Sequence, residues 1–176
     1  MRTQQRWTVL ILLGVLCVGL LASQTAPVLA AEKSIVWDAF DVDIQVNPNG
    51  TFDVSERQSI RFIDGTFTFG FRNIPKNNLG RIDNWAMSDD SGNIYTQASE
   101  GGEPYTFVVS DTGGQYAVRW YFPATADPET YTLRYTVHDG LRYYPDGDQV
   151  WWKAVYGDRA YPVLTKIGRA SCRERV

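Results

Sequence analysis

Apolar residues recur at every second position along most of this chain, and this pattern limits how it can fold more than any other feature. In 40–46 the apolar residues Phe, Val, Ile and Val alternate with polar ones. Successive side chains of a β-strand lie on opposite faces, so the pattern predicts a strand with one buried face and one polar face. The same alternation returns in 52–62 and, most clearly, in 131–137.

Turn-forming residues separate the alternating runs, as in Asn47-Pro48-Asn49-Gly50 and Asp64-Gly65, where Pro fixes one backbone angle and Gly or Asn accepts a positive φ. The predicted strands are 34–46, 52–62, 67–75, 82–87, 94–97, 105–110, 115–122 and 131–137. Residues 150–156 are predicted to form a strand or a short helical turn. Because no window has the period of an amphipathic helix, we predict an all-β domain, an antiparallel β-sandwich that is immunoglobulin-like in general architecture.

The N-terminus has the order of segments typical of a secretory signal peptide. Two arginines precede an apolar run, 7–22, and a polar stretch then ends in Val-Leu-Ala-Ala at 28–31. We predict a helical signal peptide over 1–30, cleaved after Ala30, with cleavage after Ala31 as the second choice. The apolar run is shorter than the roughly 20 residues that span a bilayer, and an uncleaved N-terminal anchor is the alternative.

The C-terminal ten residues have neither the strand pattern nor the acidic character of the rest of the chain. Ile167–Val176 reads Ile-Gly-Arg-Ala-Ser-Cys-Arg-Glu-Arg-Val, which matches the translation of a common sequencing-adapter oligonucleotide. We therefore predict that 166–176 is an artefact, that the domain covers 31–165 and is incomplete at its C-terminal end, and that the intact protein continues beyond Thr165. A genuine basic tail is the alternative.

The charge and cysteine content of the predicted domain argue against several classes of function. Residues 31–166 contain 12 basic and 19 acidic residues, a net charge of −7, which repels phosphate backbones, so we expect no nucleic-acid partner. Cys17 and Cys172 lie outside the domain, so we expect no disulfide and no thiolate metal site. With His138 as the only histidine and no nucleophile-elbow, P-loop, dinucleotide or zincin motif, we expect no cofactor and no catalytic centre.

Several segments together resemble one known family. The domain opens with I-x-W-D-x-F-D-V-D-I-x-V-x-x-N-G-T-F-x-V-x-E, and F-G-F-R-N-I-P, Y-T-L-R-Y-T-V and D-G-D-Q-V-W-W-K-A-V follow. Over about 34–161 the chain resembles the N-terminal domain of the predicted membrane proteins called domain of unknown function 2207. The resemblance implies an extracytoplasmic β-domain followed by transmembrane helices, with no established activity and no catalytic residues. Trp152-Lys153 departs from the Asn-like residue expected after the first Trp.

Two groups of aspartates are candidate calcium ligands, because calcium prefers oxygen ligands. Asp146 and Asp148 lie in a glycine-containing loop and are the better candidates, while Asp41 and Asp43 share the outer face of one predicted strand, near Asp38. Each group has a simpler explanation that we favour, a turn shaped for backbone reasons in the first case and a solvated strand face in the second.

An aromatic-dense region contains the candidate ligand-binding side chains. Tyr143, Tyr144, Trp151 and Trp152 form two adjacent pairs, and adjacent residues of a strand face opposite ways. At least one ring of each pair is therefore expected to point outward, where it could stack on a sugar. Core packing is the alternative, and we favour it.

Glu56 has the inward parity of its strand. A buried carboxylate needs a partner, and Arg72 or Arg119 could supply it. We expect a structural ion pair there rather than a catalytic acid.

The leading hypothesis is a non-enzymatic extracytoplasmic domain of a membrane-anchored protein, serving interaction or assembly at the cell envelope. The expected partners are the membrane, through helices downstream of this chain, and an envelope protein or glycan. A carbohydrate-binding module and an envelope glycosidase are the alternatives.

Overall fold

The computed structural model describes residues 33–77, 79–150, 152 and 161–172, and all of them belong to one compact unit, Glu32–Val176. The predicted signal peptide lies outside the described residues, as do Trp151 and 153–160. The described strands are β1 (Ser34–Val46), β2 (Phe52–Asp64), β3 (Phe67–Pro75), β4 (Ile82–Asp89), β5 (Ile94–Gln97), β6 (Thr106–Asp111), β7 (Gln115–Thr125), β8 (Glu129–Val137), β9 (Leu141–Arg142), β10 (Gln149–Val150) and β11 (Val163–Cys172).

The strand predictions from 34 to 137 are confirmed, with boundaries that move by a few residues. The turns form where Gly was expected to take a positive φ: Gly50 has φ 83° and Gly65 has φ 84°. The β1–β2 turn is closed by a hydrogen bond from the Gly50 N–H to the Asn47 carbonyl, 3.0 Å. The local sequence therefore determines the β1–β2 hairpin, and the turn that leads from β2 to β3, through the backbone freedom of a single glycine in each.

Nine strands form one large sheet in the order β11-β1-β2-β8-β4-β5-β6-β7-β3, and β9 pairs with β10 separately. The all-β fold is confirmed, but the large sheet is mixed rather than purely antiparallel. β5 pairs with β6 in parallel, and β1 pairs with β11 in parallel. β11 includes residues 166–172 of the predicted artefact. That this segment is an artefact stays a prediction.

The large sheet folds over on itself near β5, so its two halves pack face to face as a sandwich. Phe122 of β7 stacks on Tyr131 of β8 with ring centroids 5.1 Å apart, and it also contacts Phe62 of β2 at 6.2 Å. β1, β2, β8 and β4 form one layer, and β6, β7 and β3 form the other. The core between them contains fully buried rings such as Phe40 and Trp120.

The inward faces of β1, β2 and β8 follow the predicted parity. The alternating apolar residues of β1 and β8 are buried, and their polar neighbours face outward. Within the described ranges we find no helical segment with the length and apolar character needed to cross a bilayer.

Candidate functional site

The outer face of β3 exposes two large aromatic rings. Arg72 and Ile74 of this strand are buried, so the residues between and before them lie on the opposite face. Phe71 is 62% exposed and Phe69 is 43% exposed. β3 is also the last strand of the large sheet, so no described strand pairs with its outer edge.

Two residues of β7 extend this surface. Arg119 pairs with Phe71 in the strand register, and Tyr121 pairs with Phe69. The Arg119 guanidinium lies 4.9 Å from the centre of the Phe69 ring, a cation–π contact, and the Tyr121 and Phe69 ring centroids are 6.4 Å apart. We call Phe69, Phe71, Arg119 and Tyr121 the aromatic face.

Glycines on either side hold the aromatic face in place. On the inner side of β3, a Cβ at Gly70 would overlap the buried Trp120 ring, so only glycine allows this close packing. On the outer side, Gly101 lies against the Tyr121 ring, where a Cβ would also overlap. The backbone around the aromatic face is therefore closely packed, at Gly70 against Trp120 and at Gly101 against Tyr121.

A buried polar cluster lies directly beneath the aromatic face. Arg72 donates two hydrogen bonds to Glu56, from Nε to Oε2 at 2.7 Å and from Nη2 to Oε1 at 2.9 Å. The Tyr135 hydroxyl donates to the same Oε1 at 2.7 Å. Of the two predicted partners for Glu56, the structure places Arg72 in the core and Arg119 on the outer face. The cluster ties the edge strand β3 to β2 and β8 in the facing layer.

The predicted aromatic ligand residues are in different environments. Tyr143 and Tyr144 are 70% and 50% exposed, in the loop between β9 and β10, and Tyr143 reaches the β1–β2 turn at Gly50. Trp152 is half-buried and packs on Phe52 and Tyr135, with ring centroids 6.0 Å and 5.8 Å away. Trp151 lies outside the described residues. The role of these side chains in ligand binding stays a prediction.

In the described part of the chain, no group of three or more His, Cys, Asp or Glu side chains could hold a metal ion, and calcium binding by the predicted aspartates stays a prediction. Asp146 and Asp148 are exposed in their loop. Asp38 accepts hydrogen bonds from Arg61 at 2.6 Å and 3.2 Å, and these lower the pKa of Asp38 below its ordinary value.

The one histidine lies in a small polar group at the surface. His138 Nε2 is 2.9 Å from one carboxylate oxygen of Asp83, and Arg81 donates to the other at 2.8 Å. The hydrogen bond from Arg81, followed by that from His138, lowers the pKa of Asp83. These hydrogen bonds connect the start of β4 with the end of β8, so the group has a structural role.

Reasoning from sequence missed the aromatic face. Phe67, Phe69 and Phe71 alternate like the buried residues of a strand. Only the residues that follow them on the other face, Arg72 and Ile74, indicate that the phenylalanines are exposed. The available signal was that Arg72 and Ile74 share the other face, because an Arg that pairs with an inward Glu56 must itself point inward. That pairing would have placed the phenylalanines outside.

Three comparisons relate this chain to known proteins. A sequence model for the N-terminal domain of a family of predicted membrane proteins, DUF2207, matches residues 37–165. A search of curated proteins finds no match. Among solved structures, the chain is similar to a "putative protease from Parabacteroides distasonis ATCC 8503", at 12% identity and a TM-score of 0.33, over 63% of this chain. The chain spans 24% of that protein, and a TM-score this low carries no argument about fold or function.

The family match covers most of the chain and includes the strands that carry the aromatic face and the buried cluster, β2, β3, β7 and β8. The sequence resemblance is thereby confirmed. The chain belongs to the DUF2207 family of predicted membrane proteins.

Proposed function

We propose that this domain is a non-enzymatic interaction module on the extracytoplasmic side of a membrane-anchored protein, and that it binds an envelope partner through the aromatic face. A signal peptide over 1–30 would export the domain, and helices downstream of this chain would anchor it. The single observation that carries the interaction is the exposure of Phe69 and Phe71 beside Arg119.

Physical chemistry favours a covered aromatic face. Each apolar square ångström removed from water stabilises a complex by about 25 cal/mol, and two exposed phenylalanines offer a large area for burial. Aromatic residues and Arg are the side chains most enriched in the centres of protein interfaces. Stacking on Phe69 also preorganises the Arg119 side chain, so less conformational entropy is lost when it meets a partner.

The environment of Glu56 supports the non-enzymatic part of the proposal. A glycosidase needs two carboxylates that flank a substrate, one of them able to donate a proton. The Glu56 side chain is fully buried, and both of its oxygens accept hydrogen bonds from Arg72. This arrangement suits a structural ion pair that holds two layers together.

Site-specific photo-crosslinking in cells tests the proposed interaction. Benzoyl-phenylalanine at position 71 of the full-length protein, in its native host, is expected to give a discrete adduct after irradiation. The matched control is the same group at position 94, because Ile94 is 82% exposed and lies on β5, three strands away from β3 in the sheet order. Absence of an adduct from position 71, or equal adducts from both positions, would contradict the proposal.

A further inference from the structure

We infer that the partner of the aromatic face is a protein segment that binds as an extended strand along the outer edge of β3, with which no described strand pairs, and that it places an acidic side chain facing Arg119. This inference rests on the proposed function and specifies how the same surface binds. It is carried by the backbone of β3 and by the charge beside it.

The hydrogen-bond pattern of β3 identifies which of its backbone groups are free. The Lys76 N–H donates to the Gly114 carbonyl at 3.0 Å, one step beyond the register pair Pro75–Gln115. In an antiparallel pair, hydrogen-bonded positions alternate with positions whose N–H and C=O point away. The groups of Phe69, Phe71 and Asn73 therefore point to the open edge of the sheet.

The open stretch has defined limits. Towards the C-terminus, the Asn73 carbonyl accepts a hydrogen bond from Arg72 Nη1 at 2.9 Å, and Pro75 has no N–H. Towards the N-terminus, the register shifts between Phe67 and Phe69. Residues 69–73 thus offer a short template of about five residues, the length that a strand-adding peptide needs to form several main-chain bonds.

The edge of β3 has little protection between residues 69 and 73. Natural edge strands are protected by Lys, Pro, β-bulges or inward charges. This stretch contains neither Lys nor Pro, and Glu56 neutralises its inward charge, Arg72. The register shift between Phe67 and Phe69 and the Pro at the last position of β3 both lie outside it. A stretch of this kind beside exposed rings is suited to pairing with another strand.

The charge of the aromatic face specifies the partner further. Several surface cations of the described chain are paired with carboxylates: Arg57 with Asp90, Arg61 with Asp38, Lys76 with Asp111 and Arg81 with Asp83. Within the described ranges Arg119 has no carboxylate partner and is held over Phe69. An incoming strand with Asp or Glu on its outer face would supply the missing charge.

A second copy of this chain would not supply that charge through the same strand. β3 contains no Asp or Glu, so pairing two β3 edges would bring a second Arg119 to the joint face instead of a carboxylate. Charge complementarity therefore favours a different protein as the partner.

The experiment combines the crosslink from position 71 with two further substitutions in the full-length protein. Asn73→Pro removes an outward N–H without removing a β3–β7 bond, and Arg119→Glu reverses the exposed charge. Each is expected to lower the adduct yield by about tenfold or more, since strand addition depends on both. Arg134→Glu is the matched control, because Arg134 is exposed on the outer face of the other layer, and it should leave the yield unchanged.

The outcomes separate this inference from the proposed function. Mass spectrometry of the adduct should identify a segment of another protein with Asp or Glu within about two residues of the crosslink. An adduct that persists in both variants would contradict strand addition, as would an adduct with a lipid, a glycan or a second copy of the chain. In each of these cases the aromatic face would still be a binding surface, as the proposed function requires. Absence of any adduct overturns the proposed function itself.

Hydrogen exchange keeps the inference testable if Asn73→Pro fails to fold. The Phe69 and Phe71 amides should exchange more slowly in the assembled protein than in the isolated chain, because an added strand accepts their N–H bonds. Equal exchange in both samples, together with a crosslink from position 71, would contradict strand addition.

Discussion

At the scale of single residues, Glu56 and its arginine partner determine which face of β3 points inward. The inward parity of Glu56 predicted a buried carboxylate with an arginine partner, and the ion pair with Arg72 confirms this prediction. A charge in a protein core is stable only when an opposite charge neutralises it. The sequence left Arg72 and Arg119 as alternative partners. In the structure Arg72 pairs in register with the buried Val118, whereas Arg119 pairs with the exposed Phe71, so only Arg72 points inward.

A double-mutant cycle measures this pair. Glu56→Leu and Arg72→Met are each expected to lower the free energy of unfolding by about 3–5 kcal/mol, because each leaves a buried charge uncompensated. The double variant should lose less than the two single losses added, by about 2 kcal/mol or more, since it removes both charges together. Urea unfolding of the three variants checks this, and strictly additive losses would contradict the pairing.

At the scale of elements, β3 shows where sequence periodicity stops being informative. The alternation of Phe67, Phe69 and Phe71 correctly predicted a strand, but it could not say which face is buried. In an edge strand, the face that is buried depends on which side chains of the facing layer and of the neighbouring strand it can pack against. Here the facing layer offers the Glu56 carboxylate, and Trp120 of the neighbouring strand fills the space over Gly70, so Arg72 and Gly70 point inward and the phenylalanines point outward.

The glycine at position 70 gives a direct test of that orientation. Gly70→Ala is expected to destabilise the domain by about 1–3 kcal/mol, because the new methyl group would overlap the buried Trp120 ring. Gly114→Ala is the control: a Cβ there meets nothing within 4 Å, so the change should be close to neutral. If thermal unfolding shows the same stability for both variants, the inner face of β3 has been assigned incorrectly.

At the scale of the whole molecule, local patterns predicted the strands and hairpins but not how distant strands pair. Turn residues mark β1–β2 and β6–β7 as neighbours, because each pair is joined by a few residues. No local signal places β8 between β2 and β4, or β3 at the end of the sheet. Those positions depend on side-chain packing between strands far apart in sequence, and they leave the outer edge of β3 without a pairing strand among the described residues.

The central claim is that the aromatic face lies outside the membrane and is covered there by a partner. Thiol labelling with a membrane-impermeant maleimide tests both parts at once, because the predicted domain, 31–165, contains no cysteine. Phe71→Cys and Ile94→Cys would be made in the full-length protein with all other cysteines replaced by serine. Both positions are exposed in the isolated domain, at 62% and 82%, so both should react after purification.

On intact cells, Ile94→Cys is expected to react, because the domain is outside, whereas Phe71→Cys is expected to be protected by the partner. Equal labelling of the two positions on cells would contradict a covered aromatic face. Labelling of neither position until the cells are opened would contradict the extracytoplasmic location.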